Sequence, residues 1–150
     1  GKCVEGATAM IGNDKRLLQL ISRMRGRVQG LDKPRLIARA LWGLGKVGAR
    51  GEASEDIASM LVHLTTTFSA NPGLLASCTS QELTNTLWGL ARLGSADARC
   101  RCRAECLAHR IIAESRTRLS ALTPQCLANS LWALGRLEMR GQNAASFAQD

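Results

Sequence analysis

The chain has 150 residues, a formal net charge of +8, 45% hydrophobic residues, only 3% aromatic ones and no tyrosine. The length suits one domain, the hydrophobic fraction excludes a disordered chain, and the dominance of Leu, Ala and Gly suits close-packed helices better than a β-sandwich. The positive excess points to an acidic partner, usually nucleic acid or an anionic membrane surface, and says nothing about fold.

Residues 1–12 carry no clear pattern and read as frayed. Asn13 is placed to cap a helix from Asp14 to about Val28, with Leu17, Leu18, Ile21 and Met24 as its apolar face. Gly26 and Gly30 weaken it and then end it. This reads as the second helix of a partial repeat over residues 13–30. A first helix then starts at Pro34, where the missing N–H of proline suits the first turn, and ends at Gly48. Its second helix starts near Ser54, with Glu55 and Asp56 complementing the helix dipole and Ile57, Leu61, Leu64 and Phe68 as the buried stripe. Asn71-Pro72-Gly73 breaks that helix. Thr79 offers a hydroxyl cap for the next first helix, which ends near Gly94. A second helix starting near Ser95 or Asp97 runs to about Leu119, with Ala104, Leu107, Ala108, Ile111 and Ile112 inward. Thr123 and Pro124 open a third first helix, which ends at Glu138, and residues 141–150 hold only the beginning of its partner.

These elements repeat. Residues 34–47, 80–93 and 124–137 align, and the chain's three tryptophans, Trp42, Trp88 and Trp132, hold the same place in each, 46 and then 44 residues apart. A fixed period of this size predicts an all-α fold, an α-solenoid of stacked helix-turn-helix hairpins in one domain over residues 1–150. Its repeats span 31–76 and 77–121, with partial copies at 13–30 and 122–150. Neither end reads as a polar cap, so more chain or a partner is expected to cover one or both ends.

On a wheel of about 100° per residue, Ile37, Ala38, Leu41, Trp42, Leu44 and Gly45 share one broad side of the first copy, and Arg35, Arg39 and Lys46 lie opposite. The same ridge is Gln81, Asn85 and Arg92 in the second copy and Gln125, Asn129 and Arg136 in the third. Stacking would align these nine residues in one polar strip. Gln and Asn carry donors and acceptors that match base edges, and Lys and Arg meet phosphates. The acids Glu52, Glu55, Asp56 and Asp97 gather instead at the starts of second helices. A polar face is also what any amphipathic helix shows. The tryptophans are expected mainly as core between hairpins, with stacking on a base as the alternative. Two sets of small residues, Gly43, Gly89 and Ala133, and Gly45, Ala91 and Gly135, predict close helix–helix approach. Glycine costs about 1 kcal/mol relative to Ala inside a helix, and close approach would compensate.

The run Leu122-Thr-Pro-Gln-Cys-Leu-Ala-Asn-Ser-Leu-Trp-Ala-Leu-Gly-Arg-Leu137 resembles the first helix of octotricopeptide and heptatricopeptide-type repeats, organellar helical-hairpin repeats often accompanied by a RAP domain. The likeness covers residues 31–141. The first copy departs from it, with Arg35 and Arg39 where Gln and Asn are usual, which favours a phosphate contact there. The periods are longer than usual for the group, and no RAP domain is visible. The resemblance implies an adaptor without chemistry of its own. Such an adaptor would bind single-stranded or ribosomal RNA in a mitochondrion, or alternatively a plastid, without a cofactor and among other proteins of a larger assembly such as a mitochondrial ribosome. The rival expectation is a HEAT- or armadillo-like scaffold whose strip takes an acidic protein.

Six cysteines, Cys3, Cys78, Cys100, Cys102, Cys106 and Cys126, lack the framework of a small secreted scaffold, so a reducing compartment is expected. Cys102, Cys106 and His109 share a helix face and form a metal candidate, with adjacent arginines expected to lower the thiol pKa. Zinc ligands usually sit on turns and a fourth ligand is missing, so incidental cysteines are the main expectation, as is a surface or boundary position for His63. The longest stretch free of Asp, Glu, Lys and Arg, residues 57–81, contains a turn, so no membrane span is expected. No signal peptide is visible, and a chain starting at Gly1 is compatible with a processed form or a fragment. There is no phosphate loop, nucleophile elbow or carboxylate pair on a polar face, so no enzyme is expected.

Overall fold

A computed structural model of the chain describes residues 14–48 and 51–137. These residues form an all-helical structure with no strand among them. The α-helices are α1 (Lys15–Arg25), α2 (Pro34–Val47), α3 (Ser54–Ala70), α4 (Pro72–Ser77), α5 (Ser80–Ala96), α6 (Ala98–Arg116) and α7 (Pro124–Arg136). Short 3-10 turns at Val28–Gly30, Gly51–Ala53 and Leu119–Ala121 connect some of them. The expectations for residues 1–12, the Asn13 cap, the helix end at Glu138 and the helix start after 141 lie outside the described residues.

Local chemistry accounts for the boundaries. Asp14 caps α1, accepting from the Arg16 N–H at 2.8 Å. The Thr79 hydroxyl accepts from the Glu82 N–H at 3.2 Å, and the Glu82 carboxylate accepts from the Thr79 N–H at 2.8 Å, a reciprocal capping box. Thr123 accepts from the Cys126 N–H in the same way, with Pro124 in the first turn. Gly48 ends α2 with φ +79°, a conformation that disfavours a side chain. Four boundaries differ from expectation: α1 stops at Arg25 and not near Val28, α6 stops at Arg116 and not near Leu119, each followed by a separate 3-10 turn, and two more differ in kind. Asn71-Pro72-Gly73 ends α3 but also begins the short helix α4, because Pro72 fits a first helical turn. Gly94 does not end α5, which runs on to Ala96. Its absent side chain makes room for neighbours: a Cβ there would lie 2.9 Å from the Ala104 Cβ and 3.2 Å from Leu137.

The helices pack in two rows. In the first, α5 lies between α2 and α7; in the second, α3 lies between α1 and α6. Extensive contact of α5 with α6 joins the rows. The predicted stripe of α3, Ile57, Leu61, Leu64 and Phe68, is fully buried, as are Leu107, Ile111 and Ile112 of α6 and Leu83, Leu90 and Leu93 of α5. Each such side chain contributes roughly 1.5–3 kcal/mol relative to exposure. Thr84 and Thr86 are buried in α5 with their hydroxyls donating to the Ser80 and Glu82 carbonyls, so neither is left unpaired. The expected apolar face of α1 is only partly covered: Ile21 is buried, Leu17 and Leu18 are half-buried, and Met24 is exposed together with Leu20. No described helix is long and apolar enough to cross a membrane.

Candidate nucleic-acid interface

The first-row helices approach each other through glycine. A Cβ on Gly45 would lie 2.8 Å from the Gly89 Cα, and one on Gly89 would lie 2.4 Å from the Leu41 carbonyl oxygen. Both obstacles are backbone, so α2 and α5 hold this distance only with glycine at these places. Gly43 and Gly135, expected to act likewise, have nothing within 4 Å of such a Cβ. Gly43 holds the repeat position of Gly89 and Gly135 that of Gly45, but their helices have no neighbour on that side among the described residues.

This close approach brings the tryptophans together outside the core. Trp42 and Trp132 are 42% and 43% exposed, and Trp88 between them is half-buried. Ring centroids lie 6.2 Å apart for Trp42 and Trp88, tilted by 38°, and 5.9 Å apart for Trp88 and Trp132, nearly parallel at 22°. The expectation of core tryptophans is therefore corrected. The placement of Trp42 on the apolar side, opposite Arg35, Arg39 and Lys46, is corrected too: at about 100° per residue it falls only about 20° from Arg35 and lies closer to the polar ridge than to Leu41 or Leu44. Large area and a hydrophobic ring suggest burial, but direction on the helix decides.

Cations flank this ladder. The Lys46 ammonium lies 5.2 Å from the Trp42 ring centroid and 5.0 Å from that of Trp88. The Arg92 guanidinium lies 5.8 Å from the Trp88 centroid, and its Nε donates across to the Gly45 carbonyl at 3.4 Å. Each cation follows its tryptophan by four residues, one helical turn on. Such contacts contribute about 0.5–1 kcal/mol at exposed sites. Arg92 thus serves the packing of α5 on α2 as well as the strip's charge.

The remaining members of the predicted strip sit on the same first-row helices. Arg35, Arg39, Gln81, Gln125 and Arg136 are exposed, and Asn85 and Asn129 are half-buried. The Gln125 amide donates to the Asn129 carbonyl oxygen at 3.4 Å, along the ridge. Among the described residues none of Arg35, Arg39, Lys46, Arg92 and Arg136 forms an ion pair. The one acid on these helices, Glu82, is engaged by its capping box. The second row mixes its charges instead: Asp56 holds Arg25 at 2.8 Å, Glu55 and Asp97 hold Arg99 at 2.7 and 2.8 Å, and Glu114 pairs with Arg118. Residue spacing predicted the nine-residue strip but missed the tryptophans as part of it; their place three residues after Arg39, Asn85 and Asn129 was the available signal.

The cysteine cluster gains no support. No three His, Cys, Asp or Glu side chains among the described residues are grouped to hold a metal, and Cys102, Cys106 and His109 are all exposed. The expectation of a lowered thiol pKa fails at Cys106. Loss of solvent raises it most, Cys102 and Glu105 raise it further, and Arg103 only partly opposes them. Cys78 is pushed up to about 11, chiefly by burial. His63 is half-buried, with its Nε2 buried and lacking a protein partner. No protein-family model, no curated protein and no solved structure matches this chain.

Proposed function

We propose that the chain is a non-catalytic α-solenoid of stacked helical hairpins that binds RNA along its first-row helices. The observation that carries this reading is the partly exposed tryptophan ladder with Lys46 and Arg92 over its rings, on helices whose five strip cations form no ion pair among the described residues and whose one acid is engaged elsewhere. Ring faces in the ladder are turned on one another, so bases would meet the strip mainly by their edges. Gln81, Asn85, Gln125 and Asn129 offer those edges donors and acceptors, in the manner of helical repeats that read one base per repeat. Arg35, Arg39 and Arg136 would take phosphates, and Lys46 and Arg92 add positive potential beside the rings. The mitochondrial setting, with a plastid as alternative, and the place in a larger assembly such as a mitochondrial ribosome come from the likeness of residues 122–137 to octotricopeptide-type repeats.

The chain has three tryptophans, all in the ladder, and no tyrosine, so its intrinsic emission reports on this strip. Titration with mixed-sequence single-stranded RNA should change that emission. For about four neutralised phosphates, log K should fall with log salt at a slope near −3. Changing Arg35, Arg39 and Arg136 together to Ala should reduce the slope's magnitude by about 2. Binding that leaves both emission and the variant's slope unchanged would move RNA to another face, with Arg101, Arg103 and Arg110 of α6 the first to test. Failure to bind RNA at low salt, with binding of an acidic polypeptide, would favour the scaffold reading.

A further inference from the structure

The contact between α2 and α5 has a repeat-equivalent between α5 and α7, and among the described residues its two halves also stand open, one on α2 and one on α7. Gly45 of α2 lies on Gly89 of α5. One repeat later the same two positions are Ala91 of α5 and Ala133 of α7, both fully buried. The equivalent of Gly89 one repeat earlier is Gly43, and the equivalent of Gly45 at the far end is Gly135. A Cβ on either would meet nothing within 4 Å.

The surfaces around these open glycines are apolar. Beside Gly43, α1 and α2 leave a groove of about 650 Å³ lined by Leu20, Met24, Leu31, Ala40 and Val47. Around Gly135, α7 exposes Leu127, Leu131 at 52% and Trp132. The row positions match as well. α1 packs on α3 as α3 packs on α6, so α1 is a second-row helix without a first-row partner among the described residues. α7 is a first-row helix of the kind that the groove lacks.

We propose that α7 of one copy docks in the groove between α1 and α2 of a second copy, so that Gly135 meets Gly43 as Gly45 meets Gly89. A second copy is the occupant because the required contact is one the chain already makes within itself, with the same residue type at both places. The docked α7 completes a helical hairpin with α1 of its neighbour and sets Trp132 beside Trp42, continuing the ladder. The two surfaces differ, so the contact is heterologous and gives open chains wherever its rotation does not close. The proposal does not rest on RNA binding. Its salt dependence runs the other way: Arg23, Arg27 and Arg39 border the groove and α7 carries Arg136 with no acid. Salt screens that repulsion while apolar burial drives the contact.

The test is sedimentation velocity of the nuclease-treated full chain over a wide concentration range at low and high salt. Average mass should rise with concentration, and more steeply at high salt. Gly43→Gln and Gly135→Gln each insert a side chain where the single copy has room, so urea unfolding should show both folded. Each should weaken self-association by about tenfold or more. An equimolar mixture of the two variants, each retaining one intact surface, should form pairs and stop there. A wild-type chain of constant mass at every concentration and salt would overturn the proposal. So would variants that associate like the wild type, or a mixture that behaves no differently from the separate variants.

Discussion

Along α2, α5 and α7, five cations stand without ion pairs among the described residues, two of them over the rings of an aromatic ladder, whereas on the second row Arg25, Arg99 and Arg118 are each held by a carboxylate. Both rows belong to one basic chain. The difference teaches that net charge identifies a partner class only after internal pairing is subtracted. Arg25 and Arg99 add to the +8 in the sequence, but each is already held by its own counter-charge. Arg101, Arg103 and Arg110 share α6 with Glu105 and Glu114, so the potential there is mixed. Attraction for a polyanion is strongest where charges of one sign stand together without carboxylates between them.

The largest effect should come from the contact that sets the first row. Gly89→Ala places a methyl group against the Leu41 carbonyl and should destabilise by about 1–3 kcal/mol, read from urea unfolding followed by tryptophan emission. Gly43→Ala, at the equivalent place one repeat earlier, meets open space and should stabilise by about 0.5–1 kcal/mol. Changes of the same sign in both would break the contrast between inner contact and open end.

The second row is probed through Asp97. Its carboxylate caps α6 through the Arg99 N–H at 2.8 Å, accepts from Ser54 of α3 at 3.2 Å, and pairs with the Arg99 side chain. Asp97→Ala should cost about 1 kcal/mol at neutral pH. The hydrogen bonds from Arg99 hold this carboxyl below its ordinary value in the folded state. Its contribution is therefore complete above the unfolded value of about 3.9 and lost as pH falls through the folded one. Wild-type and variant stabilities should converge in acid; a constant difference down to acid unfolding would show that the charge is not what stabilises.

Smaller effects sharpen the contrast at the strip. Lys46→Gln removes the ammonium from between Trp42 and Trp88 and should cost about 0.5–1 kcal/mol, with a shift in emission. Arg39→Ala should leave stability nearly unchanged and reduce the magnitude of the salt slope of RNA binding by about 0.7, while Arg99→Ala should not change that slope. Equal slope changes in both would mean that pairing does not decide which cations meet RNA.

Much of the helical layout was legible in the residues. Thr79 with Glu82, Thr123 with Pro124, and Gly48 mark helix ends through bonds and backbone angles within a few residues, so local sequence suffices. The buried stripes of α3 and α6 follow from 3.6-residue periodicity in the same way. The candidate strip was legible as a list of positions because helical spacing assigns residues to faces.

By itself, then, the sequence determined the helical class, most helix boundaries and the inward faces of α3 and α6, all of which depend on short-range geometry. Only the tertiary structure decided that Gly45 and Gly89 are contacts while Gly43 and Gly135 are open, that the tryptophans stack outside the core, and which arginines are paired. Those outcomes depend on which helix lies beside which. Such neighbours are separated by up to about one full repeat of chain, as Gly45 and Gly89 are, and periodicity within either helix carries no record of that distance.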